Sequence, residues 1–393
     1  MAIRFGQYDL GAVRHFLAEI GRTPGAAAER LLLRSRKRLA VGYVGWIGHS
    51  NLGDEVLFQV IKKALHEFDL IPVLPAPGER MLTDFGLGGR RMFRAVLLGG
   101  GTLINPAYLA TARLIQELRL PLYSVGTGVG SSGFGMPLDS SSYLEWADIL
   151  GGSPMLSVRG PISAKRLRDS GVPGAEVIGD PALGVTPDSL PKFRTRKQLV
   201  INLAQEPAVE YGTGEFRIFS DIGEIASHFL QDGGELLGVA LGSRDRSTLE
   251  RFQAVHKLHG MRIEDHRSSG NRLLTAIEGS TALIGVRLHS AVLACCVGVP
   301  AILLAYRSKC QDFMNSMNLD AFAVPLGESA GPQLRARFRQ ILADPALGEQ
   351  IYRQAIFWKR KQEDYYSRLA ARLAAGWAGF DRRDEASAGR DRG

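Results

Sequence analysis

Short apolar runs that end in glycine and open into helical patterns recur along this chain, and few architectures accommodate that alternation. Arg38-Leu-Ala-Val-Gly-Tyr-Val-Gly45 reads as a strand, followed by the turn Trp46-Ile-Gly-His-Ser-Asn-Leu-Gly-Asp54. Val56, Leu57, Val60, Ile61, Ala64, Leu65 and Phe68 then give helical periodicity over 55–68. The pattern returns at Ile71-Pro-Val-Leu, at Arg94 to Leu98 entering Gly99-Gly-Gly-Thr102, at Pro121 to Gly126, and at Met155 to Arg159 before Gly160-Pro161. Helices are predicted over 109–118, 140–149 and 161–167, with Pro161 suited to a first helical turn. Alternation of this kind predicts a doubly wound, largely parallel sheet, whose ligands bind outside the strand C-termini.

Residues 185–197 are polar and proline-containing, and a second set of strands and helices begins at Gln198. Strands are expected near 198–203, 235–241, 261–264, 281–286 and 301–305, with helices over 222–230, 247–258, 271–279 and 290–297. An amphipathic helical pattern covers 333–375. The chain of 393 residues thus divides into a basic helical segment (1–38), a Rossmann-like domain (39–190), a second Rossmann-like domain (198–330), C-terminal helices (331–376) and a disordered tail (377–393). The expected fold class is α/β, two Rossmann-like domains resembling a GT-B arrangement with a C-terminal helical segment.

Composition narrows the setting. Three cysteines, two of them adjacent in an apolar run (Cys295, Cys296), fit small buried residues in a reducing compartment, and no metal-ligand spacing is present. Segment 290–306 is interrupted by Gly298 and Pro300 and falls short of the ~20 residues a membrane span needs. The first residues lack the apolar core of a signal peptide. A cytoplasmic protein is expected. The net charge of +8 gathers near both ends, which favours the inner face of an anionic membrane or phosphorylated substrates as contacts. No helix-turn-helix, zinc-finger or stacking-aromatic signature accompanies the basic clusters, so nucleic acid is not expected.

Charge beside the apolar run of 291–305 is the chemical signal. Gly285-Val-Arg-Leu-His-Ser290 and Tyr306-Arg-Ser-Lys309 place Arg287, His289 and Lys309 at its edges, where charge is costly unless it faces a cleft. Two cations and an imidazole in such a place suit a site that holds an anion and moves a proton.

An ordered set of motifs resembles the polysaccharide pyruvyltransferase family. It comprises Asn51-Leu-Gly-Asp-Glu55, Gly99-Gly-Gly-Thr102, Ser157-Val-Arg-Gly160, Gly179-Asp-Pro181, Arg287-Leu-His289 and Tyr306-x-x-Lys309. The resemblance implies a GT-B-like enzyme of cell-envelope polysaccharide synthesis. It would transfer the enolpyruvyl carbons of phosphoenolpyruvate to two saccharide hydroxyls, releasing phosphate, with no cofactor beyond that donor. It places the acceptor on the first domain and the donor on the second, and an acceptor carried on a membrane lipid fits the basic ends. Under it, Arg159, Arg287 and Lys309 bind the doubly acidic donor, since arginine meets carboxylate and phosphate bidentately. His289 is the general acid/base, with Arg287 beside it in the chemistry. Asn51, Asp54, Gly100, Thr102 and Asp180 are candidate acceptor or loop contacts. Trp46 and His49 could stack on a sugar, and Arg272 and His266 are further candidates.

Each residue also has a plain structural role to set against this: Arg-x-His as a hydrogen-bonding pair, Asp54 as a helix cap, Asp180 as a turn residue, Arg159 as a helix flank, Lys309 as a solvated lysine. Two other functions compete. A GT-B glycosyltransferase using a nucleotide sugar should carry an acidic ribose-contacting motif in the second domain, and none can be placed. A non-catalytic glycan-assembly protein has no need of Arg287, His289 and Lys309 together.

Overall fold

The computed structural model describes residues 18, 21, 29–33, 40–130, 140–204, 215–267 and 269–388. Of the N-terminal basic segment, residues 18, 21 and 29–33 are helical, and the remainder lies outside the described residues, as do 389–393 of the tail.

In the first lobe, β1 (Ala40–Val44) leads to α1 (Leu52–Ala64), β2 (Leu70–Pro72) to α2 (Ala76–Asp84), and β3 (Phe93–Leu98) to β4 (Gly101–Ile104) and α3 (Pro106–Glu117). Then come β5 (Leu122–Ser124), β6 (Thr127–Val129), α4 (Ser140–Gly151), β7 (Ser157–Val158), α5 (Pro161–Asp169) and β8 (Glu176–Val177). Every pairing is parallel, as the alternation predicts, but the strands divide into two four-stranded sheets, β2-β1-β3-β5 and β4-β6-β7-β8. The chain crosses from one sheet to the other at glycine. Gly101 (φ +97°) opens β4 and Gly126 (φ +59°) precedes β6, both in a region that disfavours side chains. A β-carbon on Gly99 would fall 2.2 Å from the Tyr43 ring, and one on Gly100 would fall 2.8 Å from Leu57. The triple glycine is therefore a crease in a packed sheet before it is anything else.

The second lobe holds one six-stranded parallel sheet. Its elements are β9 (Gln198–Asn202), α6 (Glu215–Gln231), β10 (Glu235–Ala240), α7 (Asp245–Val255), β11 (Arg262–Asp265), α8 (Gly270–Ile277), β12 (Ala282–Gly285), α9 (Leu288–Cys296), β13 (Ala301–Ala305), α10 (Ser308–Ser316) and β14 (Ala323–Pro325). The order β11-β10-β9-β12-β13-β14 is that of a dinucleotide-type sheet, with its switch point between β9 and β12. All three cysteines are free and buried, and burial raises their thiols, that of Cys296 to about 12.

Helix α1 and the C-terminal helices help to join the lobes. Although α1 belongs to the first by chain order, its Leu52, Val56, Leu57 and Val60 enter the second lobe's apolar core, and the Leu52 amide donates to the Leu241 carbonyl at 3.0 Å. The C-terminal pattern read as one stretch forms two helices, α11 (Ala330–Ala343) and α12 (Leu347–Ala388). Trp358 of α12 donates to the Ser316 carbonyl at 2.8 Å in the second lobe, and Tyr365 to the Ser124 carbonyl at 2.7 Å in the first. Helix α12 runs past Gly376, where the sequence places the start of a disordered tail, and stays helical to Ala388. Among the described residues, no helix is long and apolar enough to cross a membrane.

Candidate active site

A cavity of about 360 Å³ opens where the strand ends of both lobes meet. From the first lobe, the start of α1 supplies Asn51 and Asp54, β4 supplies Thr102, and the end of β7 supplies Arg159. From the second, the turn after β12 supplies Arg287 and the start of α9 supplies His289, while the turn after β13 supplies Tyr306 and Arg307 and the start of α10 supplies Lys309. The switch point of the second sheet forms one wall: the Arg287 amide donates to Oδ1 of Asn202, the last residue of β9, at 3.0 Å.

The cations are held by carboxylates set behind them. Arg287 makes three contacts of 2.7–2.9 Å with fully buried Asp245 at the start of α7. Arg159 is 1% exposed, with Nη1 at 3.6 Å from Asp180 Oδ2 and Nη2 donating to Thr102 Oγ1 at 3.3 Å. Asp180 also stands 3.8 Å from His289 Nε2. Its Oδ1 caps the short 3-10 helix Pro181–Val185 by accepting from the Ala182 amide at 3.0 Å. Lys309 lies on the first turn of α10, its Nζ 5.1 Å from the Tyr306 ring centre.

Two groups have displaced proton affinities. Burial, assisted by Arg159, Lys309 and Arg287 and opposed by Asp180, lowers His289 to about 4. Burial also raises Asp54 to about 7, with Asp180 and Glu55 adding to the rise and Lys309 and Arg287 opposing it. A carboxylate in a helix's first turn is ordinarily stabilised as the anion; here desolvation wins. Asn51 Nδ2 donates to Asp54 Oδ2 at 2.5 Å, so Asn51 fixes the carboxyl rather than capping the helix. Near neutral pH the cavity thus holds a neutral imidazole and a carboxyl that partly retains its proton.

These shifts have opposite signs for stability. The folded protein binds the Asp54 proton more tightly than the unfolded chain does, so stability falls as pH rises from 3.8 through about 7. It binds the His289 proton less tightly, so stability is lost as pH falls from 6.5 through about 4. Asp54→Asn is expected to stabilise the protein by about 2 kcal/mol more at pH 8 than at pH 4, half of one such shift's worth, because Asp54 retains some exposure. Urea unfolding at the two pH values measures it; a difference that does not grow with pH contradicts the assignment.

The α1 backbone passes directly against the imidazole. A β-carbon on Gly53 would fall 1.8 Å from His289 Nδ1. Gly53→Ala is therefore expected to displace the ring and lower turnover about 100-fold with the fold retained, since misplacing a reacting group by an ångström has that scale. Turnover equal to wild type would show that the ring's position is immaterial.

The structure brings Arg159, Arg287, His289, Lys309, Asn51, Asp54 and Thr102 to one cavity, with Asp180 in contact with two of them. Gly100 does not line it: its missing side chain makes room for Leu57. His266 and Arg272 do not line it either; His266 pairs with Glu264 at 3.0 Å, and the Arg272 amide is capped by Ser269. Trp46 sits at the rim, 48% exposed, and His49 stacks on Trp46 at 3.6 Å between ring centres. Arg307, Tyr108 and the supporting Asp245 escape the sequence reading. Arg307 stands inside the Tyr306–Lys309 motif and could have been found there. Asp245 has no local signal, since its partner lies 42 residues away.

Residues 51–308 match the family model described as polysaccharide pyruvyl transferase. No curated protein matches the chain. Among solved structures, it is similar to UDP-GlcNAc 2-epimerase of Methanocaldococcus jannaschii in complex with UDP-GlcNAc and UDP, with TM-score 0.51 and 14% identity over 80% of this chain and 97% of that one. S. aureus MnaA with UDP gives TM-score 0.53 and 11% identity over 80% and 90%. The epimerase of Neisseria meningitidis bound to UDP-GlcNAc gives 0.51 and 10% over 86% and 99%. Identities this low speak to the shared GT-B fold alone.

Proposed function

Because the chain belongs to the polysaccharide pyruvyl transferase family, we propose that it transfers the enolpyruvyl carbons of phosphoenolpyruvate to two hydroxyls of a saccharide, forming a pyruvate ketal and releasing phosphate. The observation that carries this reading is the convergence of Arg159, Arg287, Arg307 and Lys309, from both lobes, on a small cavity that also holds an imidazole. A phosphate and a carboxylate three atoms apart call for such a set of guanidinium forks and a compact ammonium. The cavity's volume lies at the small end of ligand pockets, which suits a three-carbon donor.

The proton inventory fits the chemistry. Protonation of the donor's methylene carbon creates cationic character at C2, where the first sugar hydroxyl adds. A carboxyl that retains its proton near pH 7 can supply that proton, and Asp54 is such a group. His289, a neutral imidazole near pH 7, accepts the hydroxyl proton and returns it to the departing phosphate. The second hydroxyl then closes the ketal as the C2–O bond to phosphate breaks, and its proton returns to the Asp54 carboxylate, which restores the starting acid. The bound donor's dianionic phosphate raises His289 toward neutrality, which makes the return step feasible.

Calorimetry with phosphoenolpyruvate and, separately, UDP-GlcNAc tests the donor, and mass spectrometry of candidate lipid-linked oligosaccharides incubated with donor and protein tests the product. Binding of phosphoenolpyruvate and the mass increase of one pyruvate ketal are expected. Heat from UDP-GlcNAc with none from phosphoenolpyruvate would overturn the reading.

A further inference from the structure

Asp312 lies on α10 of the second lobe, is 2% exposed, and reaches across to the start of α5 in the first. Its Oδ1 accepts from the Ile162 and Ser163 amides at 2.8 and 3.2 Å, and its Oδ2 accepts from the Ser163 hydroxyl at 2.6 Å. Those amides belong to a first helical turn, whose donors have no partner inside their own helix. The N-cap of α5 is Gly160, which offers no side chain to satisfy them. Its bareness is required: a β-carbon there would meet Asp312 Oδ1 at 2.3 Å and the Asp312 carbonyl oxygen at 2.4 Å. A second bond runs beside the first, Arg166 Nη1 donating to Ser308 Oγ at 3.0 Å.

Each of the two helices joined in this way has a cavity cation at its start. Arg159 follows β7 and directly precedes Gly160, and Lys309 stands one turn ahead of Asp312 on α10. Arg159 is fixed within its own lobe by Asp180 and Thr102, so its separation from Lys309 depends on how the lobes meet, and α5 against α10 is the contact nearest to both cations. We propose that Asp312 is a positioning residue of the donor site: by capping α5 from the opposite lobe, it sets Arg159 and Lys309 at the spacing needed to grip one doubly acidic molecule. The inference rests on the reading of the cavity as a phosphoenolpyruvate site.

The test uses full-length Asp312→Ala, Asp312→Asn, Ser163→Ala and Gly160→Ala, with phosphoenolpyruvate calorimetry, steady-state kinetics and hydrogen exchange at the 162 and 163 amides. Asp312→Ala is expected to weaken donor binding about tenfold or more, to change kcat far less than KM, and to speed exchange at both amides. Asp312→Asn keeps one acceptor oxygen and should recover most of both effects. Should Asp312→Ala fail to fold, Ser163→Ala and Gly160→Ala are expected to show the same paired loss. Donor affinity within about twofold of wild type, or amides that stay protected, would overturn the proposal; so would a lowered Tm without either change. A wild-type protein that gives no heat with phosphoenolpyruvate refutes the donor reading and the positioning role with it, while exchange reports separately whether Asp312 caps α5.

Discussion

His289→Ala is expected to reduce turnover of phosphoenolpyruvate and acceptor by about three orders of magnitude with the fold intact, the middle of the range for loss of a positioned acid/base. The ring occupies the first turn of α9, is 12% exposed, and its Nε2 makes no hydrogen bond among the described residues. Such a nitrogen is a standing cost that the fold does not need. Removing it should leave stability near pH 7 close to wild type and should improve relative stability below pH 6.5, where the native protein resists protonating it. The expected signature is thus a lost rate with an undiminished melting temperature. Phosphate release by coupled assay and thermal unfolding at pH 5 and 7 give the two readings. Turnover within threefold of wild type would exclude the imidazole from the chemistry.

Arg159→Ala is expected to act on two quantities together. Its guanidinium is almost fully buried and faces the equally buried Asp180. Deleting one member of a buried ion pair strands the other, at a cost of about 3–5 kcal/mol. Under the proposed function the same deletion also removes a bidentate contact to the donor, a charge-assisted interaction of about 1.5–3 kcal/mol, or roughly 10- to 100-fold in affinity. The two losses separate in Arg159→Ala/Asp180→Asn: stability should largely return because no stranded carboxylate remains, whereas donor affinity should not. Urea denaturation and calorimetry on the single and double variants decide it. A double variant that regains donor binding would make Arg159 purely structural.

Much of this architecture is legible in the linear chain, and the parts that are not share a cause. Strand β13 is read to the residue at 301–305 because Pro300 and the polar Tyr306–Lys309 bound it. The division of the first lobe into two sheets is hidden, since a glycine that ends a strand and one that bends it look the same in sequence; the difference at Gly100 is the nearness of Leu57. Helix α10 is missed because its first residues fall within a motif read for its charge alone, although Cys310, Phe313 and Met314 carry its buried face. Arg159, Arg287, His289 and Lys309 stand at strand or helix ends, and the family order draws them together before any coordinates do. The direction of the His289 shift depends on burial against the distances to Asp180 and three cations, which no spacing encodes.

The span of α12 across both lobes has a consequence for how the protein is made. Tyr365, Tyr366, Leu369 and Leu373 fill an apolar furrow on the first lobe beside Val41 and Leu97, yet they are translated after the whole of the second. A nascent first lobe must therefore wait, greasy side bare, until the ribosome has delivered nearly everything else. Chaperone dependence and loss of soluble yield on shortening the chain before Tyr365 are the expected cellular marks of that delay.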